Sequence, residues 1–124
     1  MIRGVRGAIT VDCNTEEAIV PATEELLKQM IEGNNILPEQ VASVFISTTE
    51  DLNAVFPARA LRHFDGWTYV PVMCMRELPV PNSLEMCVRV MMHVNTAVKQ
   101  EEIVHVYLGG AKVLRPDLGN TLAK

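Results

Sequence analysis

Residues 87–96 have the sequence Cys-Val-Arg-Val-Met-Met-His-Val-Asn-Thr, and this stretch decides the fold class. Successive side chains of a β-strand point to opposite faces, so one face would carry Val88, Val90, Met92 and Val94. The other face would carry Cys87, Arg89, Met91 and His93. The pattern predicts a strand with one apolar face against a core and an arginine in the middle of the opposite face.

Four other segments also have strand composition or alternation, at residues 2–11, 41–49, 69–73 and 105–108. One long helix is predicted from a capping-box-like start at Asn14 and Thr15 to a stop at Gly33. Pro21 conflicts with an uninterrupted helix because it lacks an amide donor, so the helix either kinks or restarts there. Shorter helical segments are predicted at 56–62 and 100–102.

The composition shows no shift, repeat or linker, so residues 1–124 are predicted to form a single domain. Residues from about 115 to 124 are interpreted as a C-terminal tail, either ordered or flexible. Five strands with only one long helix indicate an α+β sheet protein. Because that helix covers a limited part of the sheet, other subunits are expected to bury the rest, and an oligomer is predicted.

Charge and hydropathy exclude several classes of protein. The chain has 11 basic and 15 acidic residues, and its basic residues are dispersed, which argues against a nucleic-acid partner. No membrane span is expected, because the apolar run 88–94 is interrupted by Arg89 and His93 and a span needs ~20 residues. The N-terminal residues lack the apolar core of a signal peptide, so a cytoplasmic location and reduced cysteines are expected.

Arginines inside strand segments are the strongest chemical signal in the sequence. Arg3 and Arg6 lie in the first strand and Arg89 in the fourth. A buried guanidinium needs a carboxylate partner, and its planar fork can hold that carboxylate with two parallel hydrogen bonds. The arginines therefore suggest an anionic ligand, with a solvent-facing strand position as the alternative for each.

Cys74 and Glu77 follow the third predicted strand, where both could approach one ligand from the strand end. The alternative is an inert buried thiol and a solvated carboxylate. The cysteines and histidines lack metal-ligand spacing, and no phosphate-binding glycine motif occurs, so neither a metal nor a cofactor is expected. His93 and His105 are interpreted as ordinary strand residues.

Six motifs together resemble the monofunctional chorismate mutases of the Bacillus type. They are IRGVRGA at residues 2–8, AVFPA at 54–58, GWTYVPV at 66–72, CVRVMM at 87–92, HVYL at 105–108 and VLRPDL at 113–118. The resemblance spans nearly the whole chain in order. It implies a mixed five-stranded sheet with helices packed on one face. Three chains would form a pseudo-α/β-barrel homotrimer with an active site in each cleft between neighbours.

The resemblance also implies the reaction, a Claisen rearrangement of chorismate to prephenate in phenylalanine and tyrosine biosynthesis. It is intramolecular and needs no covalent catalysis, metal or cofactor. Arg6 and Arg89 would bind the substrate carboxylates, with Arg89 also reaching the ether oxygen. Glu77 and Cys74 would meet the ring hydroxyl, and Tyr107 would hydrogen-bond the side-chain carboxylate.

Further positions are carried over from the same resemblance. The pocket walls would be Phe56, Ala58 and Val72, and the mouth would be closed by Arg62, Leu114 and Arg115. Arg59 and Met73 stand at substrate-binding positions where the family has lysine and threonine, and Pro21 is a departure remote from the motifs. Two alternatives stay open: a non-catalytic trimer that carries a small carboxylic acid, and a trimeric imine deaminase, which the segment from Cys74 to Glu77 fits poorly.

Overall fold

The strand predicted at residues 87–96 is the central strand of the sheet. The structure is a computed structural model that describes residues 1–116. In it one sheet contains five strands: β1 (Ile2–Thr10), β2 (Val41–Thr48), β3 (Val72–Arg76), β4 (Cys87–Asn95) and β5 (Val106–Leu108). Their order in the sheet is β3-β2-β4-β1-β5, with β4 in the middle. Val88, Val90, Met92 and Val94 are all buried, which confirms the predicted apolar face.

The sheet is mixed, as predicted. β1, Ile2–Thr10, and β2, Val41–Thr48, both pair antiparallel with β4. The edge strands β3, Val72–Arg76, and β5, Val106–Leu108, pair parallel with β2 and β1 respectively. The short helical segments are 3-10 turns at Pro38–Gln40, Pro57–His63, Gln100–Glu102 and Gly109–Val113.

One face of the sheet is covered by the helix α1, Glu16–Gly33. The hydroxyl of Thr15 caps it by accepting a hydrogen bond from the Ala18 amide at 3.2 Å. The helix runs through Pro21 without restarting. Its apolar side chains, with those of β1, β2 and β4, form the main core. Gly7 permits close approach, since a Cβ there would lie 2.3 Å from Sδ of Met30.

The third strand lies three residues later than its prediction, at Val72–Arg76 rather than 69–73. The Val70 amide donates to the carbonyl of Trp67 at 3.2 Å, which keeps that segment in a turn. β3 begins only where its residues can pair with Val44 and the following residues of β2. Strand pairing outweighed the local β-propensity of Tyr69 and Val70 here. Cys74 therefore lies inside the strand instead of after it.

The opposite sheet face, which we call the open face, is not covered by α1. It carries the alternate residues of the strands: Arg6, Ala8, Phe45, Ser47, Met73, Met75, Arg89, Met91, His93 and Tyr107. Of the tail predicted from about residue 115, only Arg115 and Pro116 belong to the described residues. None of the helices within residues 1–116 has the length and hydropathy needed to cross a membrane.

Candidate active site

Three predicted site residues lie side by side on the open face. In the register of the sheet, Ala8 of β1 is opposite Arg89 of β4 on one side and Tyr107 of β5 on the other. Arg6 is two residues before Ala8 and therefore shares its face. The small, fully buried Ala8 leaves space between the larger side chains.

These side chains line a cleft of about 360 Å³, a size typical of small-ligand sites. The lining includes six of the predicted site residues: Arg6, Glu77, Arg89, Tyr107, Leu114 and Arg115. We call this cleft the arginine half-site. Among the residues that the structure describes, three arginines and one carboxylate line this cleft, a balance that favours binding of an anion.

Glu77 is held at the edge of this cleft by three neighbours. Its amide donates to the carbonyl of Thr48 at 2.9 Å, which fixes its backbone beside β2. The hydroxyl of Ser47 donates to Oε2, and Nε of Arg89 lies 3.4 Å from the same oxygen. The Arg89 side chain is 45% exposed, so its guanidinium is paired on one side and open to a ligand on the other.

Tyr107 belongs to a small second core beneath the cleft. It packs with Ala8, Cys87 and Ala111, and Leu114 lies against the same group. Burial raises the pKa of the Cys87 thiol to about 11, so this cysteine is a protonated apolar group at neutral pH. The Gly110 amide donates to the hydroxyl of Thr10 at 2.9 Å, which anchors the turn that leads to Leu114 and Arg115.

Cys74 lies on the other side of the sheet. It is opposite the buried Ile46 in the register and packs against the main core. The structure therefore does not bring Cys74 and Glu77 to one cleft within a single chain. Cys74 instead lines a second cleft of about 490 Å³ together with Phe56 and Arg59, which we call the cysteine half-site.

The remaining predicted residues lie in β3 or in the segment 56–62, of which Phe56 and Arg59 line the cysteine half-site. Phe56 is 77% exposed, although it is a large apolar side chain. Arg59 forms an exposed ion pair with Glu16 at 3.0 Å. Ala58 and Val72 pack against the main core, and Arg62 is exposed in the same 3-10 turn. Met73 is 59% exposed on the open face.

Sequence reasoning missed two residues that contact the arginine half-site. Ser47 is the hydroxyl partner of Glu77, and His105 accepts a hydrogen bond from the Arg6 amide. Strand alternation would have placed Ser47 on the open face, but nothing local marks its pairing with Glu77. The rings of His93 and His105 are part of no metal cluster, since residues 1–116 contain no group of three metal-ligating side chains.

The comparisons with known proteins agree with one another. The family model for chorismate mutase type I matches residues 2–118. The chorismate mutase AroH of Bacillus subtilis (strain 168) is 54% identical over 121 residues, which cover 98% of this chain and 95% of that protein. The chorismate mutase AroH of Thermus thermophilus is 50% identical over 119 residues, 95% of this chain and 97% of that protein.

A solved structure is also similar. The chorismate mutase of Clostridium thermocellum superimposes with a TM-score of 0.85 and 51% sequence identity. The superposition covers 89% of this chain and 97% of that one. The likeness therefore extends over most of both chains rather than over one motif.

Proposed function

Because the chain belongs to the chorismate mutase type I family and rearranges chorismate to prephenate, we propose that its active site is shared between neighbouring copies. In this proposal the arginine half-site of one chain meets the cysteine half-site of the next. Three such clefts close a homotrimer. The matching family and the two curated relatives are chorismate mutases, so the carrier and the imine deaminase are rejected as alternatives. A cytoplasmic location stays a prediction.

The opposite placement of Cys74 and Arg89 carries this proposal. The two side chains project from opposite faces of one sheet, so a single substrate molecule cannot touch both within one chain. Each cleft alone also lacks part of the residue set that the sequence resemblance assigns to the site. Pairing the two half-sites across a subunit boundary brings the complete set around one ligand.

Exposed apolar side chains support the same arrangement. Met73 and Met75 on the open face are 59% and 44% exposed, and Phe56 beside the cysteine half-site is 77% exposed. Such residues are costly to leave in water, and flexible methionines fill irregular interfaces well. Association of three chains would bury them, which stabilises the trimer.

Within the shared cleft we assign charge stabilisation to Arg89. The rearrangement breaks a carbon–oxygen bond while a carbon–carbon bond forms, so negative charge grows on the ether oxygen. A fixed charge ~4 Å away contributes at most ~4 kcal/mol at an effective dielectric of ~20. An acceleration of ~10⁶ corresponds to ~8 kcal/mol. Arg89 alone is therefore insufficient, and substrate preorganisation has to supply the remainder.

Preorganisation is assigned to the groups that bind the two ends of the substrate. Arg6 and Tyr107 would hold carboxylates, and Glu77, oriented by Ser47, would accept a hydrogen bond from the ring hydroxyl. Cys74 of the neighbouring chain would approach the same hydroxyl. Fixing both ends selects the compact conformer in which the reacting carbons are close.

The pocket walls and mouth complete the assignment. Phe56 of the cysteine half-site would form one wall, and Ala58 and Val72, which pack against the main core, would form the others. Arg59, Arg62 and Met73 would lie beside them. Leu114 and Arg115 would close the arginine half-site, to which they already belong in the single chain. An apolar, water-poor cleft strengthens the electrostatic effect of Arg89.

A complementation experiment tests the shared site. Arg89→Ala disables one half-site, and Phe56→Asp places a repulsive carboxylate in the other. Each variant alone should be inactive when chorismate loss is followed by ultraviolet absorbance. Co-expression should restore activity in about a quarter of the clefts, because random mixing joins two intact half-sites at that frequency.

Light scattering provides the control, with an expected mass of three chains of 13.8 kDa for each variant and for the mixture. Mixed trimers with no more activity than the parents would contradict a shared site. A wild-type protein that stays a monomer while it turns over chorismate would contradict the trimer.

A further inference from the structure

His105 is placed where β5 begins to pair with β1. It directly precedes Val106, the first residue of β5, and its Nδ1 accepts a hydrogen bond of 3.0 Å from the Arg6 amide. A ring nitrogen that accepts carries no proton, so the ring is neutral with its proton on Nε2. The ring thus provides the acceptor for the backbone of a residue whose side chain lines the arginine half-site.

The segment that carries His105 is fixed to the end of α1. The side-chain amide of Asn34 accepts from the Val104 amide at 2.8 Å and donates to the Val104 carbonyl at 2.9 Å. It also donates to the Met30 carbonyl at 2.9 Å. His105 is therefore fixed between the end of α1, through Val104, and the Arg6 amide of β1. The packing of these elements determines the position of its ring.

Within residues 1–116, two charged groups face His105. Partial burial, then Arg6 on β1 and Arg115 beyond the last 3-10 turn, all lower its pKa below the ordinary value. Asn34, the uncharged residue that follows α1, hydrogen-bonds to Val104, the residue before His105. At neutral pH the ring is consequently in the form that can accept the Arg6 amide.

We propose that His105 is a positioning residue for the rearrangement: its neutral ring holds the β1 backbone at Arg6, and protonation of the ring weakens substrate binding. The inference rests on the proposed carboxylate-binding role of Arg6. A protonated ring presents an N–H to the Arg6 N–H and repels two guanidinium groups, so the hydrogen bond breaks and Arg6 shifts. The positive charge on a protonated His105 ring would by itself attract a substrate carboxylate and lower KM. A KM that rises at acid pH therefore shows that loss of the hydrogen bond to Arg6 dominates, and a KM that falls shows that charge attraction dominates.

The experiment compares KM and kcat of the wild type, His105→Asn and His105→Leu from about pH 5 to pH 8, where histidines titrate. The wild type should show a KM that rises several-fold at the acid end with a smaller change in kcat. In His105→Asn the amide Oδ1 can accept near the Nδ1 position and does not titrate. Its KM should stay within about threefold of the wild-type neutral value at every pH. In His105→Leu the Arg6 amide loses its acceptor. The KM of this variant should be about tenfold above the wild-type neutral value at every pH, as expected for the loss of one hydrogen bond.

His93→Asn is the matched control. His93 lies on the open face and contacts Ser43 and Phe45 instead of Arg6, so this variant should keep the wild-type acid rise in KM. An acid rise retained in His105→Asn, or a wild-type neutral KM in His105→Leu, would overturn the inference. An Arg6→Ala variant separates the claims. An unchanged KM in Arg6→Ala would overturn the proposed site as well. A raised KM in Arg6→Ala, together with His105 variants that lack the expected changes in KM, would overturn only the positioning role of His105.

Discussion

Glu77 and Arg89 meet across an intervening strand, with Oε2 of Glu77 3.4 Å from Nε of Arg89. Ser47 of that strand is opposite Arg89 on one side and donates its hydroxyl to the same carboxylate oxygen. Three strands thus fix the direction of one guanidinium before any substrate arrives. An enzyme that works by charge and shape depends on such prior orientation, because reorientation during the reaction would cost part of the stabilisation.

Replacing Arg89 by lysine should lower kcat by about 100-fold, because a point charge cannot keep the Glu77 contact and also reach the ether oxygen. Steady-state kinetics with chorismate measures the loss, and light scattering checks that assembly is unchanged. Arg3→Lys is the control, since Arg3 donates to the Val98 carbonyl in an exposed position. Near-normal turnover of Arg89→Lys would remove the electrostatic part of the mechanism.

Ser47→Ala should reduce kcat/KM by about 3- to 10-fold, the usual effect of losing one hydrogen bond that orients a charged group. Ser43→Ala is a matched control, because Ser43 lies on the same face of β2 and contacts His93 instead of Glu77. Equal effects of the two substitutions would show that Ser47 does not act through Glu77.

Gly7→Ala should destabilise the fold by about 1–3 kcal/mol, because the new Cβ overlaps Met30 and forces the main core to repack. The distances are 2.3 Å to Sδ of Met30 and 3.0 Å to Cδ1 of Leu26. Urea unfolding measures the change. Gly4→Ala serves as the comparison, since among the described residues its Cβ would meet only Sδ of Met91, at 3.2 Å. The prediction fails if both variants unfold at the same urea concentration.

The stability of the protein should depend on pH through His105. Its pKa is lower in the folded protein than in the unfolded chain, so the unfolded chain takes up this proton first as pH falls. The stabilisation that neutral His105 contributes to the folded protein is complete above the ordinary histidine pKa of about 6.5. It is lost as pH falls toward the pKa of His105 in the folded protein. Urea unfolding of wild type and His105→Asn at several pH values isolates it. Parallel pH curves for the two proteins would contradict this assignment.

The chemical step should show no solvent deuterium isotope effect, since the rearrangement moves no proton to or from a protein group. Single-turnover rates in light and heavy water, compared at matched ionisation, measure it. A pronounced effect would mean that Glu77 or Cys74 transfers a proton, which the mechanism does not include.

Strand alternation was sufficient to place Arg89 on the face of β4 opposite Val88 and Val90, because side-chain direction within a strand is a local property. That Arg6 shares the face of Arg89 depends on the pairing of β1 with β4. Strand alternation also assigned the buried face of β4 correctly. The helix start at Thr15 followed from capping chemistry in the same way. The third strand was predicted wrongly, since its start depends on pairing with β2 and not on the propensity of Tyr69.

Periodicity and helix caps could be read from the sequence because they are set by neighbours along the chain. The mutase family was identified separately, from the resemblance of six motifs in order. Tertiary structure decided that Cys74 and Arg89 face opposite sides of the sheet and that Ser47 and His105 contact Glu77 and Arg6. These relations join residues about 15 to 100 positions apart. They depend on strand order and register, which the packing of the whole chain sets because each buried strand has to satisfy its hydrogen bonds and its apolar face together.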